Sequence, residues 1–222
     1  MFQRWNWLTF LHWRYPRESV RALVPNELSL DTFDRAAWVG LTPFLLTSLR
    51  PPFVPPLPWI SKFPEMNVRT YVTGPDGKPG VWFFTLEADR LAAVIAARVF
   101  YRLPYRWARI RVRRHEQRVD YQSERQSIVG PGQARISVVT GPPIKASAFD
   151  NFLTARYRLY TTFGKRIAFA EIEHEPWPLQ AAEVLSLHQN VIQNSGVPPP
   201  EGDPTIHFSR TLLVRIGRLR PM

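Results

Sequence analysis

The sequence contains no cysteine, few lysines and no apolar run long enough to span a membrane. The lack of cysteine excludes disulfide bonds, cysteine nucleophiles and thiolate metal sites, and it fits a cytoplasmic protein. The longest apolar stretch, residues 91–101, includes Arg98 and is too short for a transmembrane helix. Polar side chains interrupt the apolar residues at the N-terminus, so we expect no signal peptide and no association with a membrane.

The basic residues divide unevenly, with only four lysines among the 29 basic residues, and the net charge is +11. Arginine stays protonated at any accessible pH, whereas a buried lysine can lose its proton and act as a nucleophile. The composition therefore leaves few positions for amine nucleophiles.

The chain also lacks the short motifs of several large enzyme classes. It has no phosphate-binding G-x-x-x-x-G-K-[ST] or G-x-G-x-x-G, no H-E-x-x-H and no G-x-S-x-G. The five histidines are scattered without the spacing of metal ligands. We therefore predict neither a metal site nor a cofactor.

The features that are present indicate a folded α+β protein. With 222 residues and 45% hydrophobic content the chain can bury a substantial core, and we expect one domain over residues 1–222. Alternating segments bounded by glycine and proline predict many strands around a curved sheet or barrel, with three or four helices. The expected helices are 16–24, 90–103, a short one that starts at Ser147, and 181–193. The principal expected strands are 3–14, 36–49, 65–73, 80–88, 105–114, 116–125, 134–140, 156–162, 166–175 and 207–217.

Residues 63–72 are the most informative of the predicted strands. Because successive side chains of a strand face opposite ways, one face carries a polar row consisting of Glu65, Asn67, Arg69 and Tyr71. A proline-rich loop at 51–58, long enough to cover a cavity, precedes the strand. The row is either the solvated face of a half-buried strand or the wall of a binding cavity, and the residues alone leave both interpretations open.

An arginine-rich segment spans residues 98–125, and aromatic residues are interleaved with the arginines. This composition is typical of a nucleic-acid-binding surface. However, Arg109, Arg111 and Arg113 share one strand face, and acidic residues on the next predicted strand can pair with them across a hairpin. We favour a solvated face and keep nucleic acid as the alternative partner.

His174 shares a predicted strand face with apolar residues, including Ala170 and Ile172. An imidazole there is either a core group with satisfied hydrogen bonds or a side chain that contacts a ligand. His12, between Leu11 and Trp13, has the same two interpretations.

The chain resembles the YqjF-like proteins, the family called domain of unknown function 2071, in the acetoacetate decarboxylase-like superfamily. The resemblance spans nearly the whole chain. It rests on the motifs FLHW (10–13), LDTFD (30–34), AWVGL (37–41), FPEMNVRTYV (63–72), GVWFF (80–84), LPY (103–105), FLTARYRLY (152–160) and EHEPWPLQ (173–180). It implies a curved, largely antiparallel sheet that closes into an acetoacetate decarboxylase-like barrel or cone around a cavity, and it implies no established activity.

The decarboxylases of that superfamily form a Schiff base on a lysine that follows a proline and precedes a second lysine. The segment most similar to theirs is 100–106, where Tyr105 and Arg106 take the two lysine positions. A second argument does not depend on this alignment. Lys62, Lys78 and Lys165 fall in predicted loops or turns and Lys145 follows a Gly-Pro-Pro-Ile segment, so none is placed where burial would lower its pKa. We therefore expect no Schiff-base decarboxylation.

Together, the residue patterns and the resemblance predict a protein that binds a small carboxylate- or carbonyl-bearing molecule in a cavity. Glu65 and Tyr105 are the candidate catalytic residues, with Glu65 as an acid or base. The candidate ligand-binding residues are Arg69, Asn67, Tyr71, Trp82, Phe84, Arg98 and His174, with Arg69 holding the anionic or carbonyl group and the two aromatics lining the cavity. A non-catalytic ligand sensor is a further alternative, and a homo-oligomer is left open.

Overall fold

Strands make up most of the chain in a computed structural model that describes residues 1–127, 130–164 and 166–222. The first six strands are β1 (Phe2–Tyr15), β2 (Ser29–Leu30), β3 (Ala37–Arg50), β4 (Phe63–Thr73), β5 (Pro79–Ala88) and β6 (Tyr105–His115). The others are β7 (Arg118–Arg125), β8 (Gln133–Pro143), β9 (Arg158–Phe163), β10 (Arg166–Glu173), β11 (Leu179–Gln189), β12 (Thr205–Ile216) and β13 (Arg220–Pro221). The helices are α1 (Arg17–Arg21), α2 (Leu91–Tyr101) and α3 (Ala148–Thr154), with a 3₁₀ turn at Gln193–Ser195.

The strands form one 13-stranded sheet that closes on itself twice. In a larger ring, nine strands pair in the order β5-β6-β7-β8-β11-β12-β1-β3-β4 and back to β5. In a smaller ring, seven strands pair in the order β10-β9-β5-β4-β3-β1-β12 and back to β10. Among the described residues, all strand pairings are antiparallel except β5 with β6 and β5 with β9. This confirms the expectation of a curved, largely antiparallel sheet in an α+β protein.

Five strands belong to both rings, and β4 shows what this does to burial. Its residues from Glu65 to Val72 are all buried. Met66, Val68 and Val72 join the largest apolar cluster, to which β6, β7 and β8 also contribute, whereas Tyr71 joins a second cluster with residues of β5, β9 and β10. The strand therefore has an apolar environment on both of its faces, unlike the one-sided burial usual in antiparallel sheets.

The helices α2 and α3 both pack against the second cluster. α2 connects the parallel strands β5 and β6, as such a connection requires. α3 begins with a capping box, in which Ser147 and Asp150 satisfy each other's backbone N–H groups. It ends at Thr154, beside the second cluster, which contains Leu153.

The predicted helix at 181–193 is wrong. Residues Leu179–Gln189 form β11, which pairs with β8 over most of its length and with β12 at its start. Alanine, glutamate and leucine favour a helix, but backbone pairing in the larger ring outweighs that small intrinsic preference. The short strands β2 and β13 were not expected. Lys165, which the sequence places in a predicted loop or turn, lies outside the described residues.

The arginine-rich segment is divided between surface and interior. Arg109, Arg111 and Arg113 are exposed on β6, and the register places Arg109 opposite Glu124 and Arg113 opposite Asp120. Arg125 instead is buried and forms an ion pair of 2.7 Å with Glu87, so it is not part of the predicted surface. Within the described ranges, no helix has the length and apolar character needed to cross a membrane.

Candidate functional site

A small cavity lies inside the smaller ring, and every one of its seven strands contributes to the wall. The polar side chains in the wall include Glu65, Asn67, Arg69, Tyr105, Arg156 and His174. The space open to the centres of water molecules is about 60 Å³, which is room for more than one water. The cavity therefore matches a ligand of a few non-hydrogen atoms.

The polar row of β4 faces this cavity and not solvent. Glu65 and Asn67 are each 4% exposed and Arg69 is 6% exposed, and all three line the wall. They share a face because β4 remains regular from residue 65 to residue 69 in its pairing with β3. Of the two interpretations that the sequence left open, the geometry selects the cavity wall.

Arg69 is a buried cation without an anionic partner. Among the described residues, no carboxylate oxygen lies within 4.0 Å of its guanidinium. Its Nε and the neighbouring Asn67 Oδ1 are buried and, within the same part of the chain, have no hydrogen-bond partner. The guanidinium carbon lies 5.3 Å from the ring centroid of Phe10, a cation–π contact. Beside the cavity, the charge of Arg69 thus lacks a neutralising carboxylate, and its Nε and the Asn67 amide oxygen lack partners among the described residues.

Glu65 and Tyr105 form a second polar pair in the wall. The Tyr105 hydroxyl donates to Glu65 Oε2 over 2.9 Å. Burial raises the pKa of Glu65 to about 8, although the hydrogen bond from Tyr105 acts in the opposite direction. Burial also raises the pKa of Tyr105 well above 10, and the nearby Glu65 adds to this shift. Near neutral pH both groups therefore hold their protons, and Glu65 is a neutral carboxylic acid.

Tyr105 occupies the position where the resemblance places the Schiff-base lysine. It is the first residue of β6, and Arg98 on α2 donates from Nε to its backbone carbonyl over 2.7 Å. Arg98 itself is exposed and is not part of the cavity wall. Of the described lysines, Lys62, Lys78 and Lys145 are all exposed, and none lines the cavity.

Tyr71 lies behind the cavity wall and links it to His12. Its hydroxyl donates to the Leu153 carbonyl over 2.6 Å, and His12 Nε2 lies 2.5 Å from the same oxygen. Because the hydroxyl proton is already used, His12 Nε2 carries the hydrogen of the second bond. Burial, followed by the charge of Arg69, lowers the pKa of His12 well below 6.5, so the imidazole is neutral.

His174 lies just after β10 and lines the cavity, which corresponds to the ligand-contact alternative of the two interpretations left open by the sequence. Its ring lies between those of Tyr157 and Trp177, with centroids 4.8 and 5.0 Å away. Burial lowers its pKa from 6.5. A neutral imidazole in this position can contact a ligand without adding a second full charge to that of Arg69.

The prediction that Trp82 and Phe84 line the cavity is wrong. Both side chains pack against the largest apolar cluster, and Val81, Phe83 and Leu86 line the cavity. Arg69 pairs with Phe83 but Val68 pairs with Thr85, so Phe84 is an extra residue in a β-bulge. The bulge changes which positions of β5 face the cavity. Alternation in the sequence alone therefore cannot show whether the odd-numbered or the even-numbered side chains line it.

Sequence reasoning also missed Arg156, which follows α3 and lines the cavity. It forms a 2.8 Å ion pair with Asp31, and its guanidinium carbon lies 5.1 Å from the Tyr71 ring centroid. The only signal was its place in the motif at 152–160, where nothing in the spacing separates it from Arg158. Arg158 pairs instead with Asp76 and Glu171.

The family follows from comparison of the sequence with known proteins. The model of the uncharacterised conserved proteins called DUF2071 matches residues 2–212. The chain belongs to the DUF2071 family. The uncharacterised protein YqjF of Bacillus subtilis (strain 168) is 40% identical over 222 residues, which cover 99% of this chain and 91% of YqjF. The family inferred from the motifs is confirmed.

Solved structures similar to this DUF2071 protein have the acetoacetate decarboxylase-like fold. The enduracididine biosynthesis enzyme MppR complexed with pyruvate has a TM-score of 0.70 and 13% identity, over 99% of this chain and 89% of MppR. Acetoacetate decarboxylase from Legionella pneumophila has a TM-score of 0.63 and 13% identity, over 99% of this chain and 86% of the enzyme. At this identity the likeness establishes the fold and not an activity.

Proposed function

We propose that the protein binds a small carboxylate- or carbonyl-bearing molecule, of the size of a short 2-oxo acid, in the cavity of the smaller ring. The observation that carries this proposal is the buried guanidinium of Arg69 in the cavity wall, which no carboxylate of the described residues neutralises. Withdrawing a charge from water is costly unless an opposite charge and hydrogen bonds compensate for it. A ligand carboxylate supplies both, because it can accept two parallel hydrogen bonds from a guanidinium.

The neighbouring groups fit the rest of such a ligand. Asn67 Oδ1 is a free acceptor, and protonated Glu65 can donate to a carbonyl or hydroxyl oxygen while Tyr105 donates to its other oxygen. The solved complex of MppR with pyruvate supports the ligand class, since it shows a small oxo acid bound to a protein of this fold.

The same geometry supports non-covalent acid–base chemistry, with Glu65 as the proton donor. A carboxylic acid whose pKa is near the working pH is suited to transferring a proton in enolisation, hydration or dehydration. Schiff-base chemistry would need a buried amine, and the described lysines are exposed. Tyr105 and Glu65 would therefore act on a ligand that stays unattached to the protein.

The substitution Arg69→Met tests the proposal. It removes the charge at similar length, so we expect the free protein to melt at the same temperature or higher. We also expect pyruvate to raise the melting temperature of the wild type, at low and at high salt, and to leave that of R69M unchanged. Differential scanning fluorimetry with pyruvate, lactate, cyclohexanone and a short RNA measures both effects.

Arg118→Met is the matched control, because Arg118 is exposed and pairs only at the surface with Asp120. It should respond to pyruvate like the wild type. A pyruvate response that survives in R69M would contradict the proposal. A response to RNA alone, lost at high salt, would instead favour the arginine-rich surface and nucleic acid as the partner.

A further inference from the structure

A second, apolar cavity lies next to the first, between α2 and strands β3 and β4. It offers about 260 Å³ to the centres of water molecules, against about 60 Å³ in the polar cavity. Its floor consists of Leu46, Leu49 and Phe63, and Ile60 closes one side. The lining is mostly apolar, so water within it gains few hydrogen bonds.

The sequence of α2 explains the open space. Val94 is the one buried side chain of the helix, and the helix lines the cavity with small side chains, namely Ala92, Ala93, Ala96 and Ala97, followed by the larger Phe100. Leu91, Ile95 and Val99 point away from the cavity and are about half exposed. Alanines over a leucine and phenylalanine floor leave a gap where larger side chains would have closed the packing.

The loop before β4 is fixed over this space. Arg90, just before α2, donates from Nε to the Trp59 carbonyl over 3.1 Å, and its guanidinium carbon lies 5.2 Å from the Trp59 ring centroid. The same loop contributes Ile60 to the wall. Ile60, just after the proline-rich segment at 51–58, therefore borders the apolar cavity.

The two cavities share part of their walls. Gln3, Glu65 and Tyr105 line both of them. Glu65 is 4% exposed, and only its Oε2 accepts a hydrogen bond from a described residue. Glu65 and Tyr105 therefore lie at the boundary between the polar cavity that contains Arg69 and the apolar cavity.

We propose that the apolar cavity beneath α2 holds the hydrocarbon chain of the ligand whose polar head lies at Arg69. The ligand is then an oxo acid whose unbranched carbon chain is longer than that of pyruvate. This inference rests on the proposed function and adds the chain to it. Each methylene that enters an apolar cavity leaves water, so affinity increases by about fourfold per carbon.

Isothermal titration calorimetry measures how affinity depends on chain length, with pyruvate, 2-oxobutanoate, 2-oxopentanoate and 2-oxohexanoate as ligands. In the wild type we expect about fourfold tighter binding at each step. Ala97→Phe fills the apolar cavity, so it should bind pyruvate like the wild type and lose the gain with chain length. Ile95→Phe adds the same side chain to the outer side of α2 and should keep the gain.

Ala97→Leu provides a smaller obstruction in case the phenylalanine variant does not fold, and it should remove part of the gain. Equal affinity for pyruvate and 2-oxohexanoate in the wild type would overturn the chain inference and leave the proposed function standing. A chain-length gain that Ala97→Phe retains would overturn it as well. If none of the four acids binds, both the inference and the proposed function fail.

Discussion

The proton on Glu65 gives this residue a pH dependence opposite to that of ordinary carboxylates. Its pKa is about 8 in the folded protein, against 4.5 in an ordinary environment. The folded state therefore binds a proton that the unfolded state has already lost between pH 4.5 and 8, and stability falls as the pH rises through that range. The full loss is on the order of 5 kcal/mol.

The substitution Glu65→Gln tests whether Glu65 causes this loss of stability at higher pH. The amide keeps an acceptor for the Tyr105 hydroxyl and cannot ionise. We expect the wild type to lose several kcal/mol of unfolding free energy, relative to the variant, between pH 5 and pH 8.5. Urea denaturation at a series of pH values measures the difference.

The comparison with the variant matters because His12 acts in the other direction. Its pKa is held well below 6.5, so its contribution to stability is present above pH 6.5 and is lost as the pH falls. The difference between wild type and Glu65→Gln cancels this contribution. Parallel curves for the two proteins would mean that Glu65 is ionised in the folded state near pH 7.

At the scale of secondary-structure elements, the pairing of β1 with β3 depends on a glycine. Gly40 lies opposite His12, and a Cβ at this position would lie 2.9 Å from Cδ2 and Nε2 of the imidazole. Gly40→Ala should therefore displace His12 from Tyr71 and destabilise the protein by about 1–3 kcal/mol. Thermal or urea unfolding measures the loss.

Gly217→Ala is the matched control, because its added Cβ would meet its nearest neighbour, the Glu171 carbonyl oxygen, at 3.5 Å, an ordinary contact. Its stability should stay close to that of the wild type. A Gly40→Ala variant as stable as this control would show that the imidazole can move at little cost.

Strand elements were predicted well where side-chain pattern decided them and poorly where pairing decided them. β4 could be located from its alternation, and its polar row could be listed residue by residue. The burial of both its faces could not, because it depends on two ring closures between strands distant in sequence. β11 was mistaken for a helix because its composition favours one, whereas its long-range pairing with β8 leaves no local signal.

The candidate site was predictable to the same extent. Five of the proposed residues line the polar cavity, namely Glu65, Asn67, Arg69, Tyr105 and His174. The faces of Trp82 and Phe84 depended on a bulge, and the place of Arg156 depended on the end of α3. Both are set by tertiary structure, which a single sequence read locally does not contain.

For the whole molecule, the two rings predict an uneven distribution of local stability. β4 is buried on both faces, whereas Val94 is the only buried residue of α2. Amide hydrogens in residues 65–72 should exchange only through global unfolding, and those of α2 should exchange at least tenfold faster through local opening. Native-state hydrogen exchange followed by mass spectrometry of peptides measures this, and equal protection of the two segments would contradict it.

The sharing of β4 between the rings also limits how the chain can change in length. An insertion or deletion of one residue within Phe63–Thr73 would exchange the two faces of the strand beyond it. Arg69 would then enter the apolar cluster that now contains Met66 and Val68, and those side chains would enter the polar cavity. In an ordinary edge strand the same shift disrupts one apolar core. In β4 it disrupts both apolar clusters and the binding cavity. Diversification of this protein is therefore confined to substitution within β4.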